Sequence, residues 1–121
     1  MDFSNINLYA LDEKGENHLI AEKIYIADGV ISRFKGLMLE KELKKRHAVL
    51  LYPCNSIHMF FMRFPLDVLY ADKNLNVVKA VREIKPWRID LGHKNALYTI
   101  ELPAGTLRFD PKKILITKKI L

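Results

Sequence analysis

The stretch from Ser56 to Asp72 reads SIHMFFMRFPLDVLYAD, and it carries the clearest evidence for how this chain folds. The apolar side chains at alternate positions from Leu66 to Tyr70 share one face of a predicted strand, while Asp67 takes the other face. The polar residues 72–74 are a turn signal, so residues 77–84 are predicted to return as the second strand of a hairpin.

Working outward from this hairpin, short apolar stretches recur along most of the chain. They predict strands over residues 6–11, 18–27, 48–52, 57–62, 66–71, 77–84, 96–102 and 113–117. In residues 96–102, Tyr98 and Ile100 are expected to point inward and Glu101 outward. Seven or more short strands favour a mainly β sandwich or barrel over a parallel α/β fold.

One helical pattern interrupts the strands, from about Ile31 to Lys45. Phe34 and Leu37 fall on one face of it at helical spacing, so we expect one short helix within this range. Gly36 weakens the helix, and one explanation for a glycine here is that another backbone approaches closely at that point.

The chain has 121 residues, half of them hydrophobic, which is typical of one globular domain, and residues 1–121 are predicted to form it. Its single cysteine, Cys54, excludes an intramolecular disulfide. No basic segment followed by an apolar run begins the chain, and no stretch has the length of a membrane span. These patterns predict a cytoplasmic protein.

The formal net charge is +6, from 20 Lys and Arg against 14 Asp and Glu. A basic field attracts nucleic acid, anionic membranes or acidic proteins without choosing among them. Because no nucleic-acid motif accompanies the charge, a solvated surface is the preferred interpretation and a nucleic-acid partner is not expected. Phosphate loops, dinucleotide fingerprints and nucleophile elbows are also absent from the sequence.

Three segments together resemble a known family. They are RFKGLM at residues 33–38, the stretch Ser56–Asp72, and ALYTIELPAG at residues 96–105. Their order and spacing resemble the bacterial and archaeal family catalogued as domain of unknown function 192, over roughly residues 20 to 120. The resemblance implies a compact β-sandwich or barrel-like fold of jelly-roll type with a helix packed on it, and it implies no activity.

The most suggestive polar group is Met62-Arg63 with Asp67. A guanidinium presents a rigid fork of donors that suits a carboxylate or a phosphate, so Arg63 is a candidate anchor for an anionic ligand. The preferred interpretation is internal, with Arg63 paired to Asp67 or to Glu101, since buried charges are normally paired.

Cys54 and His58 offer sulfur and imidazole, the ligands of copper or zinc, but residues four apart on a strand are about 13 Å distant. Neither a metal site nor a Cys–His nucleophile pair is therefore predicted. Trp87, between basic neighbours in a loop, is a reasonable contact residue for a partner. The candidate ligand-binding residues are Arg63, Asp67, His58, Met62, Trp87 and Glu101, with no catalytic residue, metal or cofactor predicted.

Three functions stay open at the level of sequence. The leading hypothesis is a non-catalytic binding or accessory module for a ligand or a protein partner. The second is a small enzyme acting on an anionic or sugar-like substrate, with His58, Asp67 and Glu101 around one cleft and Arg63 positioning the substrate. The third is a nucleic-acid binder driven by charge. The sequence does not specify an oligomeric state.

Overall fold

The computed structural model describes residues 1–118, and nearly all of its regular structure is β. The elements are β1 Ser4–Asp12, β2 Asn17–Ala27, α1 Val30–Lys35, β3 His47–Leu51, β4 Ile57–His58, β5 Leu66–Ala71, β6 Val77–Ile84, β7 Ile89–Asp90, β8 Tyr98–Pro103 and β9 Pro111–Lys118. The prediction of a mainly β fold with one short helix is confirmed. No helix among the described residues is long and apolar enough to cross a membrane.

Seven strands form one curled sheet in the order β6-β5-β8-β3-β2-β1-β9. All neighbours are antiparallel except β2 and β3, which are parallel. The two edges approach each other at one end, where Asn76 bridges Lys113 and the Ile114 N–H donates to the Leu75 carbonyl at 2.9 Å. The sheet therefore has the shape of a half-barrel. β4 and β7 form a separate two-stranded ribbon.

The centre of the sheet is buried on both faces. In β3, Ala48 and Leu50 belong to the core inside the curl, while Val49 and Leu51 belong to a second core on the opposite face. Because successive residues of a strand point to opposite faces, β3 has no residue left for solvent beyond its first. The second core is covered by Leu37 and Leu43, which follow α1, and by Ile57, Met59 and Met62 from the segment of residues 52–62.

Because of this second core, the residues on both faces of β8 are buried. Ile100 and Leu102 point into the curl as predicted, and Glu101 points to the other face. Glu101 is opposite Val49 of β3 and Val68 of β5, both in the second core. Glu101 is therefore directed away from the inner core and yet is buried.

The helix is shorter than the sequence pattern suggested. It ends at Lys35, because Gly36 takes φ 46° and ψ −122°, which no helix continues. The helix lies largely within the predicted range and ends before Leu43, and the chain continues through a turn at residues 36–39 and irregular structure to residue 44. Leu37 still packs into the second core from a turn, whereas Phe34 is exposed.

Candidate functional site

A cleft of about 380 Å³ lies between α1 and the segment that follows β3. The helix side contributes Arg33, Phe34, Lys35 and Gly36, and the opposite wall contributes Cys54, Ser56, His58 and Met62. Glu101 of β8 lines the same cleft from the sheet. The covering layer over the second core is thus incomplete at one point, and the gap gives access to a buried carboxyl group.

The carboxyl group of Glu101 is the most unusual group in this cleft. The residue is 4% exposed, and its Oε1 atom is buried with no hydrogen-bond partner among the described residues. Burial raises the pKa of Glu101 to about 8, since a charged carboxylate is costly to remove from water. At neutral pH the group is therefore mainly a neutral acid, able both to donate and to accept a hydrogen bond.

Gly36 brings the end of the helix against this carboxyl group. A Cβ atom at this position would lie 3.4 Å from the Glu101 Oε1 atom, and the φ of +46° disfavours any residue with a side chain. The group that lies close to Gly36 is therefore the Glu101 side chain at the bottom of the cleft, and not the backbone of another segment as expected. Leu37, the next residue, is fully buried and fixes the chain there.

His58 connects the two walls of the cleft. Its Nδ1 atom accepts a hydrogen bond from the Phe60 N–H at 3.2 Å, so the ring proton is assigned to Nε2, which donates to the Phe34 carbonyl at 3.0 Å. Both ring nitrogens are occupied. His58 therefore joins the helix to the opposite wall and is not a free base.

Two further contacts hold the rim of the cleft. The Arg33 Nη1 atom donates to the carbonyl oxygens of Asp28 at 2.9 Å and Tyr52 at 3.3 Å. The Cys54 thiol donates to the Ser56 carbonyl at 3.0 Å. Arg33 keeps the donors on Nε and Nη2 in addition, because a guanidinium carries five N–H groups.

Asp67 belongs to a different environment, although it is only one strand away from Glu101. Its carboxylate accepts backbone N–H groups from Glu83 at 2.9 Å, Gly105 at 3.1 Å and Leu107 at 2.9 Å. With 1% exposure it is a buried acceptor that fixes the turns beside β6 and β8. It does not line the cleft.

Arg63 and Trp87 also lie outside the cleft. Arg63 is exposed and forms no ion pair or hydrogen bond within residues 1–118, so the preferred pairing with Asp67 or Glu101 is wrong. Trp87 is 59% exposed and lies beside Phe61, with ring centroids 4.9 Å apart. Of the six candidate residues, the fold brings His58, Met62 and Glu101 to one cleft.

The sequence of the chain matches a family model over residues 10–110. That family is DUF192, described as an uncharacterized ACR. The chain belongs to this family. The resemblance read from the three sequence segments is therefore confirmed.

Curated relatives are archaeal proteins named UPF0127. A UPF0127 protein of Thermococcus kodakarensis is 40% identical over 92 residues, a match that covers 71% of the chain and 57% of the relative. One from Pyrococcus horikoshii is 42% identical over 89 residues and is covered over 74% of its length. The chain thus spans less than two thirds of the Thermococcus relatives it matches.

Two solved structures have the same fold. A Sinorhizobium meliloti 1021 protein described as a candidate transcription regulator superposes with a TM-score of 0.80 at 18% identity, covering 95% of both chains. A protein of unknown function from Novosphingobium aromaticivorans gives 0.75 at 17% identity, covering 90% of the chain and 83% of that protein. At these identities the likeness shows the fold alone.

In this DUF192 member, sequence reasoning missed Arg33, Lys35 and Ser56 as cleft residues. Arg33 and Lys35 flank the exposed Phe34 in a segment predicted as an ordinary amphipathic helix. Both lie within α1, on the side of the helix that lines the cleft. The irregular glycine in the pattern was the available signal, because it marked the position where the helix meets Glu101.

Within residues 1–118 one group of side chains has the spacing of a metal site, and it lies away from the cleft. Asp12, Glu16 and His18 meet at the β1–β2 turn. There the Asp12 carboxylate accepts the Lys14 and Glu16 N–H groups, and its other oxygen lies 2.9 Å from His18 Nε2. These bonds account for the cluster as a hairpin turn. The hydrogen bond from His18 is the main cause that holds the pKa of Asp12 below its usual value.

Proposed function

We propose that this chain is a small-ligand binding module, with its binding site in the cleft over Glu101. The carrying observation is the buried Glu101 carboxyl group, whose Oε1 atom has no partner within the described residues. An unsatisfied buried acceptor costs about 1 to 3 kcal/mol, so a group that completed its hydrogen bonding would bind with a built-in advantage.

The Glu101 carboxyl group at the bottom of the cleft determines which group of the ligand can bind there. Because burial raises the pKa of Glu101 to about 8, the neutral acid presents one O–H donor and one carbonyl acceptor. A hydroxyl group can satisfy both at once. An amide that carries an N–H can also satisfy both, whereas a ketone or ester carbonyl only accepts and satisfies the O–H donor alone.

The basic side chains at the edge of the cleft determine which group the rest of the ligand carries. Lys35 is exposed and forms no hydrogen bond or ion pair with any described residue, and Arg33 keeps donors free of its two backbone contacts. Both cations suit a carboxylate or a phosphate. The ligand class supported best is a hydroxy acid, a sugar acid or a sugar phosphate, and about 380 Å³ lies within the range of small-molecule sites.

The proposed site keeps three of the residues first expected to bind a ligand. Glu101 forms the floor, Met62 gives apolar contact, and His58 holds the walls together. Asp67 supports the scaffold beneath. Arg63 and Trp87 take no part in this cleft.

A thermal-shift screen of hydroxy acids, sugar acids and sugar phosphates tests the proposal. A ligand at a hundred times its dissociation constant stabilises the fold by about 2.7 kcal/mol, which is readily measured for a protein of this size. Lys35→Gln should reduce the shift several-fold, and Glu101→Leu should abolish it while leaving the protein folded, because leucine removes an unsatisfied polar group.

The matched control is Arg63→Gln, which also removes one exposed positive charge but outside the cleft. Its ligand-induced shift should equal that of the wild type. Equal losses in Lys35→Gln and Arg63→Gln would place binding elsewhere and contradict the proposal, as would a panel in which no compound shifts the wild type.

The raised pKa of Glu101 supports a second candidate function, a small enzyme in which this residue transfers a proton. General acids work best when their pKa lies near the working pH. The original candidate set is not assembled, since Asp67 lies outside the cleft and His58 has both nitrogens occupied. Incubation with each stabilising ligand distinguishes the two functions: unchanged ligand supports the binding module, and turnover lost in Glu101→Gln supports the enzyme.

A further inference from the structure

Exposed aromatic rings form a continuous row beside the mouth of the cleft. Phe34 lies 5.1 Å from His58, His58 lies 5.1 Å from Phe60, and the rings of Phe60 and Phe61 lie 6.2 and 4.9 Å from Trp87. Val30 of α1 and Ile89 of β7, which line the same cleft, are 75% and 59% exposed. We call this surface the apolar face, formed by Val30, Phe34, Phe60, Phe61, Trp87 and Ile89.

The backbone holds two of these rings outward at an energetic cost. Phe61 and Trp87 have φ values of 60° and 69°, a left-handed conformation that bulky residues rarely adopt. The loops that carry them are joined through Met59, whose carbonyl accepts the Trp87 N–H at 2.7 Å and whose N–H donates to the Arg88 carbonyl at 2.7 Å. Such strain persists only where the surrounding structure imposes it, and it is concentrated at functional sites.

Positive charges accompany the apolar face. Lys85 and Arg88 flank Trp87, Arg63 follows Phe61 by two residues, and Lys35 follows Phe34. All four side chains are exposed, and none forms a hydrogen bond or ion pair with another described residue. The acidic residues nearest to these segments in sequence are Asp28, Glu83 and Asp90. Asp90 is paired with Lys79, so the four cations exceed the two remaining acidic neighbours and the surroundings keep a net positive charge.

We propose that the apolar face docks onto an anionic phospholipid surface. Its rings and aliphatic side chains come from three separate segments and stand outward, half exposed or more in most cases, so they suit insertion between headgroups better than enclosure of a peptide. Aromatic residues with Lys and Arg beside them are the composition of segments that lie in a membrane interface. A second copy of the chain would bring like charges together, which disfavours self-association through this face.

Trp87 is the chain's single tryptophan, so its fluorescence reports on the apolar face directly. The wild-type protein is mixed with vesicles of phosphatidylcholine alone and with vesicles that also contain phosphatidylglycerol. Binding to the anionic vesicles should shift the Trp87 emission to shorter wavelength and carry the protein into the vesicle pellet. Added salt should weaken the binding, because the headgroup attraction is screened.

A pair of double variants with equal charge change gives the decisive comparison. Each basic residue near an anionic surface contributes about fivefold to partition, so Lys85→Gln with Arg88→Gln should weaken vesicle binding roughly 20- to 30-fold. Lys14→Gln with Lys73→Gln is the control. These exposed lysines lie in the turns that precede β2 and β6, whereas the apolar face is formed by residues that follow these two strands. Its partition should change less than about twofold.

Three outcomes would overturn the proposal. The first is an unchanged Trp87 spectrum with anionic vesicles. The second is equal loss in the two double variants, which would show attraction by net charge alone. The third is a Trp87 shift with poly-glutamate or with single-stranded oligothymidylate but none with vesicles, which would assign the face to an acidic protein or to nucleic acid.

Discussion

Two carboxyl groups on neighbouring strands are almost equally buried but differ in their hydrogen bonds. Asp67 on β5 is 1% exposed and Glu101 on β8 is 4% exposed. In the pairing of the two strands, Asp67 is opposite Leu102, and Glu101 is opposite Val68. Asp67 accepts hydrogen bonds from three backbone N–H groups. The buried oxygen of Glu101 accepts none within residues 1–118.

The difference separates a structural carboxylate from a candidate functional one. Backbone N–H groups around Asp67 replace the hydration that its charge loses on burial, and in return they are themselves satisfied. Among the described residues the Glu101 Oε1 atom has no such donor, and burial raises the pKa of this carboxyl group instead. A fold tolerates such an unsatisfied group at a cost, and a ligand is a physical reason for it to remain.

Removing the Asp67 carboxylate should have the largest effect. Asp67→Ala leaves the N–H groups of Glu83, Gly105 and Leu107 without acceptors inside the protein, and we expect the free energy of unfolding to fall by about 3 to 5 kcal/mol. Urea denaturation measures this. Asp72→Ala is the control, since Asp72 accepts the Asn74 and Asn76 N–H groups in an exposed turn, and there we expect a clearly smaller loss because water can replace the lost acceptor. Equal losses would contradict the special position of Asp67.

Glu101 should make stability depend on pH in the sense opposite to a salt-bridged acid. Its folded-state pKa of about 8 lies above the ordinary value of 4.5, so between the two the folded state keeps a proton that the unfolded state has lost. The stability it contributes is complete below the lower pKa and is lost as the pH rises through the upper one. Between about pH 5 and 7 the loss should be roughly 3 kcal/mol.

Glu101→Gln should remove this component, because an amide does not titrate. Urea midpoints of the wild type and the variant, taken at each pH, isolate it as a difference. Glu42→Gln, at an exposed position, should keep the wild-type slope. If the slope is unchanged in Glu101→Gln, the carboxyl group is not protonated at neutral pH, and the hydrogen-bond donor that the proposed ligand site needs is absent.

The sequence predicted the β architecture and the alternation of β8, because a period of two is a local property. It did not predict that Glu101 is buried. That depends on residues 52–62, which fold back over the sheet without regular periodicity and are held there by contacts such as the Thr99 hydroxyl on the Cys54 carbonyl, 2.9 Å apart. The failure at Arg63 has the same origin. Its apolar neighbours suggested burial, yet Phe61 and Phe64-Pro65 lie in a turn that leaves Arg63 in solvent.

A smaller effect is expected where the helix meets Glu101. Gly36→Ala forces a side chain into a φ of +46° and places its Cβ 3.4 Å from the Glu101 Oε1 atom, so we expect a loss of about 2 to 3 kcal/mol. Gly15→Ala is the matched control, with φ +81° and open space around the added atom, and we expect about 1 kcal/mol. Thermal unfolding compares the two. A loss in Gly36→Ala no larger than in Gly15→Ala would contradict the strain expected for a side chain at the φ of 46° and ψ of −122° of Gly36.

The smallest effect is expected at Arg63, and it tests whether Asp67 needs a cation at all. Arg63 is exposed and unpaired within the described chain, so Arg63→Ala should change the free energy of unfolding by less than about 0.5 kcal/mol. A loss above about 1 kcal/mol in urea denaturation would show that Arg63 contributes to stability although it forms no contact with Asp67. A null effect, beside a large loss in Asp67→Ala, would show that the buried Asp67 side chain depends on its three backbone N–H donors and not on Arg63. Within residues 1–118 the Glu101 Oε1 atom lacks such donors.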